Sequence, residues 1–257
     1  MRRCARAAFD AYAARYDASD ERIALKVEHT YEVAGLCEQI ALGEGLSAQD
    51  VDLAWLCGLL HDIGRFEQLR RWNTFSDAAS CSHAELGLDV LQTELVRFTD
   101  NDAWIPIIRK AVTYHSDYRL LDDLSDRERL FCTITRDADK VDILRVFNQS
   151  SCRAVLGLEP DEFHLGRISD EAFAGFEERR CLSRDERVAS LDGLLGTICL
   201  VFELEHPAAR AALHERGYLG NLLRAPFGLN PVFTHELTQL RWNNVCSIMR
   251  AGDGFGV

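Results

Sequence analysis

The run Leu59-Leu60-His61-Asp62-Ile63-Gly64 sets an imidazole and a carboxylate directly after an apolar helical stretch, where both lose most of their hydration. Such a pair is costly to bury unless something satisfies it. His29 lies upstream, and His83, His115 and Asp139 lie downstream, so the candidate ligands run in the order His, His-Asp, His, His, Asp.

Periodicity places each of these groups on an apolar face. His29 shares a helical face with Val33, Leu36, Cys37 and Ile40, and His61 follows Leu53, Leu56, Cys57 and Leu60 at the same spacing. His83 precedes Leu86, Val90 and Leu91, and His115 follows Ile108, Ala111 and Val112. Asp139 lies on a stripe with Cys132, Thr135, Ile143 and Val146. One inward histidine usually does no more than donate to a nearby carbonyl. Four of them on successive helices, with two inward aspartates, would each need a separate partner in an inert core. Metal binding satisfies all six together. Imidazole nitrogen and carboxylate oxygen suit Mn, Fe, Zn or Mg, and no thiolate pattern accompanies them.

The chain reads as all-α, because its periodic segments have helical spacing and are separated by Gly, Ser or Pro. Helices are expected over 20–42, 47–61 (after the Ser47 to Asp50 capping box), 83–98 (after Ser82 to Glu85), 102–115 and 126–147 (after Ser125 to Glu128). Gly64 reads as a stop, and 65–81 as a long loop over the site with at most one helical turn. Further helices are expected over 169–178, 183–205, 207–216 and 231–250, with Phe233, Leu237, Leu240 and Val245 packing the last. The whole of 1–257 is expected to form one helical domain, with a core at about 20–150 and an extension at 151–257.

Bulk properties exclude several function classes. A net charge of −12 leaves no electrostatic footprint for a nucleic-acid polymer or an anionic membrane. The longest apolar runs, 53–60 and 198–202, are far shorter than the roughly 20 residues of a membrane span. Nine cysteines, odd in number and without a C-x-x-C, suit buried thiols in a reducing compartment, so a cytoplasmic location is expected. His164, His206, His214 and His235 have no paired acid in ligand register and read as structural or exposed.

The six residues resemble the HD-domain superfamily of metal-dependent phosphohydrolases, named for the doublet that stands here as His61-Asp62. The resemblance covers about residues 20–150, through Lys26-Val27-Glu28-His29-Thr30, His61-Asp62-Ile63-Gly64 and Asp137-Ala138-Asp139-Lys140. It implies a helical bundle with two divalent ions, His29, His61, Asp62 and Asp139 holding one, and Asp62, His83 and His115 the other. The cyclic-di-GMP phosphodiesterase branch carries Gly-Tyr-Pro after paired histidines, whereas this chain has Tyr114-His115-Ser116-Asp117-Tyr118. Arg65-Phe66-Glu67 after the doublet departs from both the stringent-response hydrolases and the deoxynucleotide triphosphohydrolases. The ligand order is also similar to that of the bacterial diadenosine tetraphosphate hydrolases and of the inositol-oxygenase type of HD-fold oxygenase.

The resulting expectation is hydrolysis of a phosphate ester of a small nucleotide or phosphorylated metabolite by a metal-bound hydroxide, with Asp62 and Lys140 in the catalytic machinery. Lys26, Arg65, Arg70 and Arg71 are the candidate substrate-binding cations; Lys26 and Lys140 read equally well as solvated helix lysines, and the three arginines as ordinary surface residues pairing with Glu67 or Asp77. Trp72 and Phe75 could stack on a base or anchor the loop, and Asp77 and Asp117 are candidate proton donors to a leaving group. The alternatives are a di-iron oxygenase on the same scaffold and a non-catalytic metal- or ligand-binding regulatory module. The expected partner is a small phosphorylated molecule, with a homodimer as one option for the C-terminal third.

Overall fold

Polar caps read from the sequence start the long helices of the computed structural model, which describes residues 1–251. Asp20 accepts from the Arg22 amide at the start of α2 (Glu21–Gly43), and Ser47 from that of Asp50 at the start of α3 (Ala48–Leu60). Ser82 does the same for α5 (His83–Glu94). Ser125 and Glu128 satisfy each other's amides at the start of α7 (Asp126–Gln149). Such caps supply acceptors to first-turn amides that have no partner inside the helix. With α1 (Arg2–Ala13), α4 (Ile63–Trp72) and α6 (Ile105–Tyr114), these helices account for the N-terminal part of the chain. The fold is all-α, with no strand among the described residues. No helix there is long and apolar enough to cross a membrane.

The chain divides into two compact units, Met1–Asp139 and a second beginning at Lys140. In the first, α2 and α3 run against each other, α6 packs on α3 and α5, and α4 packs on α5. Val33, Leu36, Cys37 and Ile40 of α2 and Leu53, Leu56, Cys57 and Leu60 of α3 are fully buried, each large aliphatic side chain contributing about 1.5–3 kcal/mol. Gly58 makes the contact close: a Cβ there would lie 2.8 Å from Cys37 Sγ and 2.9 Å from Ala34 Cα.

Helix α1 has no counterpart among the expected helices, although Ala5, Phe9 and Tyr12 recur at helical spacing and are buried. Phe9 meets the edges of Tyr31 and Phe66, with ring centroids 5.4 and 5.8 Å away.

The second unit continues through α8 (Cys152–Leu156), α9 (Pro160–Phe163), α10 (Asp170–Glu177), α11 (Asp192–Cys199), α12 (Pro207–Arg216), α13 (Tyr218–Arg224) and α14 (Glu236–Ala251). Two expected helices are shorter than their patterns suggested. The segment 183–191 is irregular, and α11 begins only at Asp192. The fully buried Asp192 carboxylate accepts from the Val188 and Ala189 amides and from the amide and hydroxyl of Ser169. Amides committed to a side chain in this way cannot also build the expected helical ladder. Similarly, Phe233 N donates to Gln239 Oε1 and Thr234 N to the His164 carbonyl, so α14 starts at Glu236 rather than Pro231. Its buried face is Thr238, Trp242, Val245, Cys246 and Met249, while Leu237 and Leu240, expected to pack, are exposed.

Asp192 thus joins 169, 188–189 and α11 through a single buried carboxylate. Asp192→Ala is expected to destabilise the protein by about 2 kcal/mol, since it removes the shared acceptor of four part-buried donors. Chemical denaturation measures this, and a change within about 0.5 kcal/mol would refute the assignment.

Candidate metal centre

The His-Asp doublet occupies a corner of the backbone. Helix α3 ends at Leu60 and α4 begins at Ile63, so His61 closes one helix and Asp62 opens the next. A carboxylate at a helix N-terminus is favoured by the unpaired amides there. Gly64 does not stop the chain, contrary to the sequence reading; it is the second residue of α4. A Cβ at Gly64 would lie 2.2 Å from the His83 carbonyl oxygen and 2.4 Å from Gly87 N, so its missing side chain allows α4 to lie directly on α5. That approach carries His83, the first residue of α5, to Asp62.

The long loop expected over 65–81 is likewise corrected. Residues 63–72 are helical, Asn73 closes α4 in the left-handed region (φ 54°), and only the stretch from there to Ser82 is irregular, with a 3-10 turn at Asp77–Ala79. Arg65, Arg70 and Arg71 therefore stand on a helix.

All six expected ligands converge, in two groups. In the first, His29 Nε2 lies 3.2 Å from both His61 Nε2 and Asp139 Oδ1, and His61 Nε2 lies 3.7 Å from that same oxygen. In the second, His83 Nε2 and His115 Nε2 are 2.9 Å apart and lie 3.6 and 3.5 Å from Asp62 Oδ1. The other Asp62 oxygen, Oδ2, faces the first group, 3.6 Å from His29 Nε2 and 3.7 Å from His61 Nε2. Asp62 therefore presents one oxygen to each group.

Hydrogen bonds on the far side of the rings set which nitrogen faces inward. His61 Nδ1–H donates to the Gly58 carbonyl (2.7 Å), His115 Nδ1–H to that of Val112 (2.8 Å), and His83 Nδ1 meets Asp77 Oδ2 at 2.7 Å. Each Nδ1 that carries the proton leaves an Nε2 lone pair pointing inward. Lone pairs about 3 Å apart repel unless a proton or a cation lies between them. An ion with bonds of about 2.1 Å separates neighbouring ligand atoms by roughly 3.0–3.4 Å; the two 3.2 Å separations at His29 match this, and the others, from 2.9 to 3.7 Å, lie within a few tenths of an ångström of it.

Burial and charge act against each other in this site. Burial pushes the Asp62 carboxyl up, but Lys26, His61, His115 and Arg65 outweigh it and hold the group well below the usual carboxylate range. Asp139 is lowered likewise, with burial opposed by the His29 hydrogen bond and by His61. Burial dominates for His61, lowered to about 4 against the pull of Asp62 and Asp139, and it also lowers His83. Ionised carboxylates and neutral imidazoles are the protonation states that bind a divalent ion.

Of the expected substrate cations, Lys26 is at the site: its Nζ donates to Asp62 Oδ2 at 2.6 Å and lies 5.5 Å from the centre of the Phe75 ring. Arg65 spends Nη1 on Gln68 Oε1, the Phe75 carbonyl and Asp77 Oδ1, and its Nε lies 3.5 Å from Asp62 Oδ1. Arg70 and Arg71 are exposed and pair with Glu67. Lys140 directs its ammonium to the Glu203 carbonyl and carboxylate. Phe75 has both Lys26 and Arg65 within about 6 Å of its ring centre, whereas Trp72 is exposed beside Arg71. Asp117 is exposed, its carbonyl taken by Arg136. Asp77, expected as a proton donor, holds His83.

Sequence reasoning missed Gln68, which is fully buried and donates to Asp77 Oδ1, Ser80 Oγ and the Cys81 carbonyl. A polar residue one turn beyond Gly64 was the available signal, hidden once the segment was read as loop. His164, His206, His214 and His235 join neither ligand group.

Two outcomes follow. Gly64→Ala should separate α4 from α5 and cost at least about 2 kcal/mol, the scale of overpacking a close contact, while weakening metal uptake. Denaturation and metal titration check this, and a variant unchanged in both would show that the approach tolerates a methyl group. The second outcome concerns acid stability. With His61 at about 4 in the folded protein and near 6.5 when unfolded, the unfolded chain binds the extra proton between those values. Metal-free protein should therefore lose stability as pH falls from about 6.5 to 4, by about 3 kcal/mol from this group, with His83 acting in the same direction. Denaturation midpoints across that window test the sign.

Comparison with known proteins agrees with this geometry. Residues 27–144 match the family model described as HD domain, and the match includes all six ligand candidates. No curated protein and no solved structure matches the chain. The matched segment is a little under half of the chain, and over that segment the chain is similar to the HD-domain family.

Proposed function

We propose that this chain is a metal-dependent phosphohydrolase acting on a phosphate ester of a small nucleotide or other phosphorylated metabolite, with two divalent ions of the Mn, Fe, Zn or Mg class. The observation that carries the reading is Asp62, whose two oxygens face the two ligand groups from 3.5 to 3.7 Å. His29, His61 and Asp139 would hold one ion, His83 and His115 the other, and Asp62 would touch both. When bound, such ions supply Lewis-acid polarisation of phosphoryl oxygens and a water of lowered pKa.

The side chains supply position and charge. Two carboxylates face the site, so two divalent ions would leave a net positive centre, and the Lys26 ammonium beside Asp62 Oδ2 adds to it. A centre of that sign favours an anionic substrate. Lys26 is the cation placed to shift from Asp62 to a phosphoryl oxygen, because its ammonium is within hydrogen-bond reach of the ligand set. The Phe75 ring beside it offers an apolar face to the non-phosphate part of a substrate. Imidazoles kept neutral by burial have lone pairs available as ligands, which suits activation of a water by the ions they would hold.

The test is release of phosphate or a nucleotide product from a panel of phosphoesters, under anaerobic conditions, with Mn or Mg. Turnover is expected in wild type, with a fall of at least ~100-fold in Asp62→Asn, since even partners beyond the ligands of such sites are worth 10–100-fold. Turnover that requires iron and dioxygen would overturn the hydrolase reading in favour of an oxygenase. Metal uptake without any turnover would favour the binding module.

A further inference from the structure

We propose that Asp77, held in place by Arg65 and Gln68, is the positioning residue that orients His83 and strengthens it as a ligand for the second ion. This rests on the two-ion reading above. The histidines differ in where they sit on their helices. His61 and His115 each end a helix, so a carbonyl three residues back on the same helix, that of Gly58 or Val112, lies in reach of Nδ1–H. His83 is the first residue of α5 and has no preceding helical turn. Its Nδ1–H must find an acceptor elsewhere, and Asp77 Oδ2 supplies one at 2.7 Å.

Asp77 is itself held on its other oxygen. Oδ1 accepts from Arg65 Nη1 (2.8 Å) and from Gln68 Nε2 (2.9 Å), both on α4. Gln68 Nε2 also reaches Ser80 Oγ and the Cys81 carbonyl, and Arg65 Nη1 reaches the Phe75 carbonyl, so α4 grips the irregular segment on both sides of Asp77. Arg65 begins one turn after Asp62 and has its Nε 3.5 Å from Asp62 Oδ1. Side chains of α4 therefore control the two second-group ligands that are not on α6: Asp62 from the helix start, and His83 through Asp77. A carboxylate acceptor makes an imidazole a better donor of its other lone pair than a carbonyl does, and the arginine balances the added negative charge.

The experiment uses the full chain, in wild type, Asp77→Ala and Asp77→Asn. In metal-free protein labelled with 15N at histidine, the hydrogen-bonded Nδ1–H of His83, assigned by its loss in His83→Gln, should appear downfield. It should vanish in Asp77→Ala and persist, shifted upfield, in Asp77→Asn, which keeps an acceptor oxygen and drops the charge. Titration with Mn(II), followed by its magnetic resonance signal, should show two ions per wild-type chain. Asp77→Ala should weaken only the second, by 10–100-fold, with Asp77→Asn between. If the alanine variant does not fold, the asparagine variant alone must show the smaller loss confined to the second ion.

Two ions bound with unchanged affinities in a variant would overturn the proposal while leaving the two-ion reading intact, even if stability fell. Fewer than two ions in wild type would overturn both.

Discussion

The carboxylate of Asp62 is the constraint around which the first unit is organised. It is almost fully buried, and an ionised group in that position is strongly unfavourable without compensation. The compensation comes from the N-terminus of α4, the Lys26 ammonium and the Arg65 guanidinium, while the four imidazoles turned toward it call for a cation between them and the carboxylate. Its oxygens diverge toward two ligand groups, so a rotation of this one side chain would disturb both. The helices on either side of the corner cannot shift independently either, because α3 is in near backbone contact with α2 at Gly58 and α4 with α5 at Gly64. Two glycines without room for a methyl group convert the packing of four helices into the spacing of four ligands.

Much of this centre was legible in the sequence because its parts are individually unfavourable. An imidazole or a carboxylate on an apolar stripe contradicts the pattern around it, and six contradictions in one helical region are explained most simply together. The helices bearing them were legible for the same reason, through clear caps at Ser47, Ser82 and Ser125.

What was hidden depends on tertiary contact. Gly64 carries the same letter whether it ends a helix or makes room for a neighbouring one, and reading it as a stop turned α4 into a loop. A helical signal is nonetheless present: Glu67 stands three and four residues before Arg70 and Arg71, the spacing of side chains that meet on a helical face, and they do meet. Asp192 hid in a similar way, since its effect on 183–191 arises from a carboxylate collecting donors that a local pattern does not associate. The acidity of Asp77 is plain in the sequence, but its partner is set only where the loop closes onto α5.

The two ligand groups differ in how they are built. His29 and Asp139 project from the interiors of α2 and α7, the two longest helices, so the first group gains its geometry from backbone already held by regular hydrogen bonds. His83 and His115 stand at the start of α5 and the end of α6, where backbone groups are only partly committed and a ring takes its orientation from whatever acceptor is near. For His115 that acceptor is on its own helix. For His83 it is a side chain six residues back, on a segment secured by α4 rather than by its own secondary structure. A local opening of residues 73–82 would therefore release His83 while leaving the first group in place. Asymmetry between the two ion positions is built into the helices that carry them, before any difference between the ions themselves is considered.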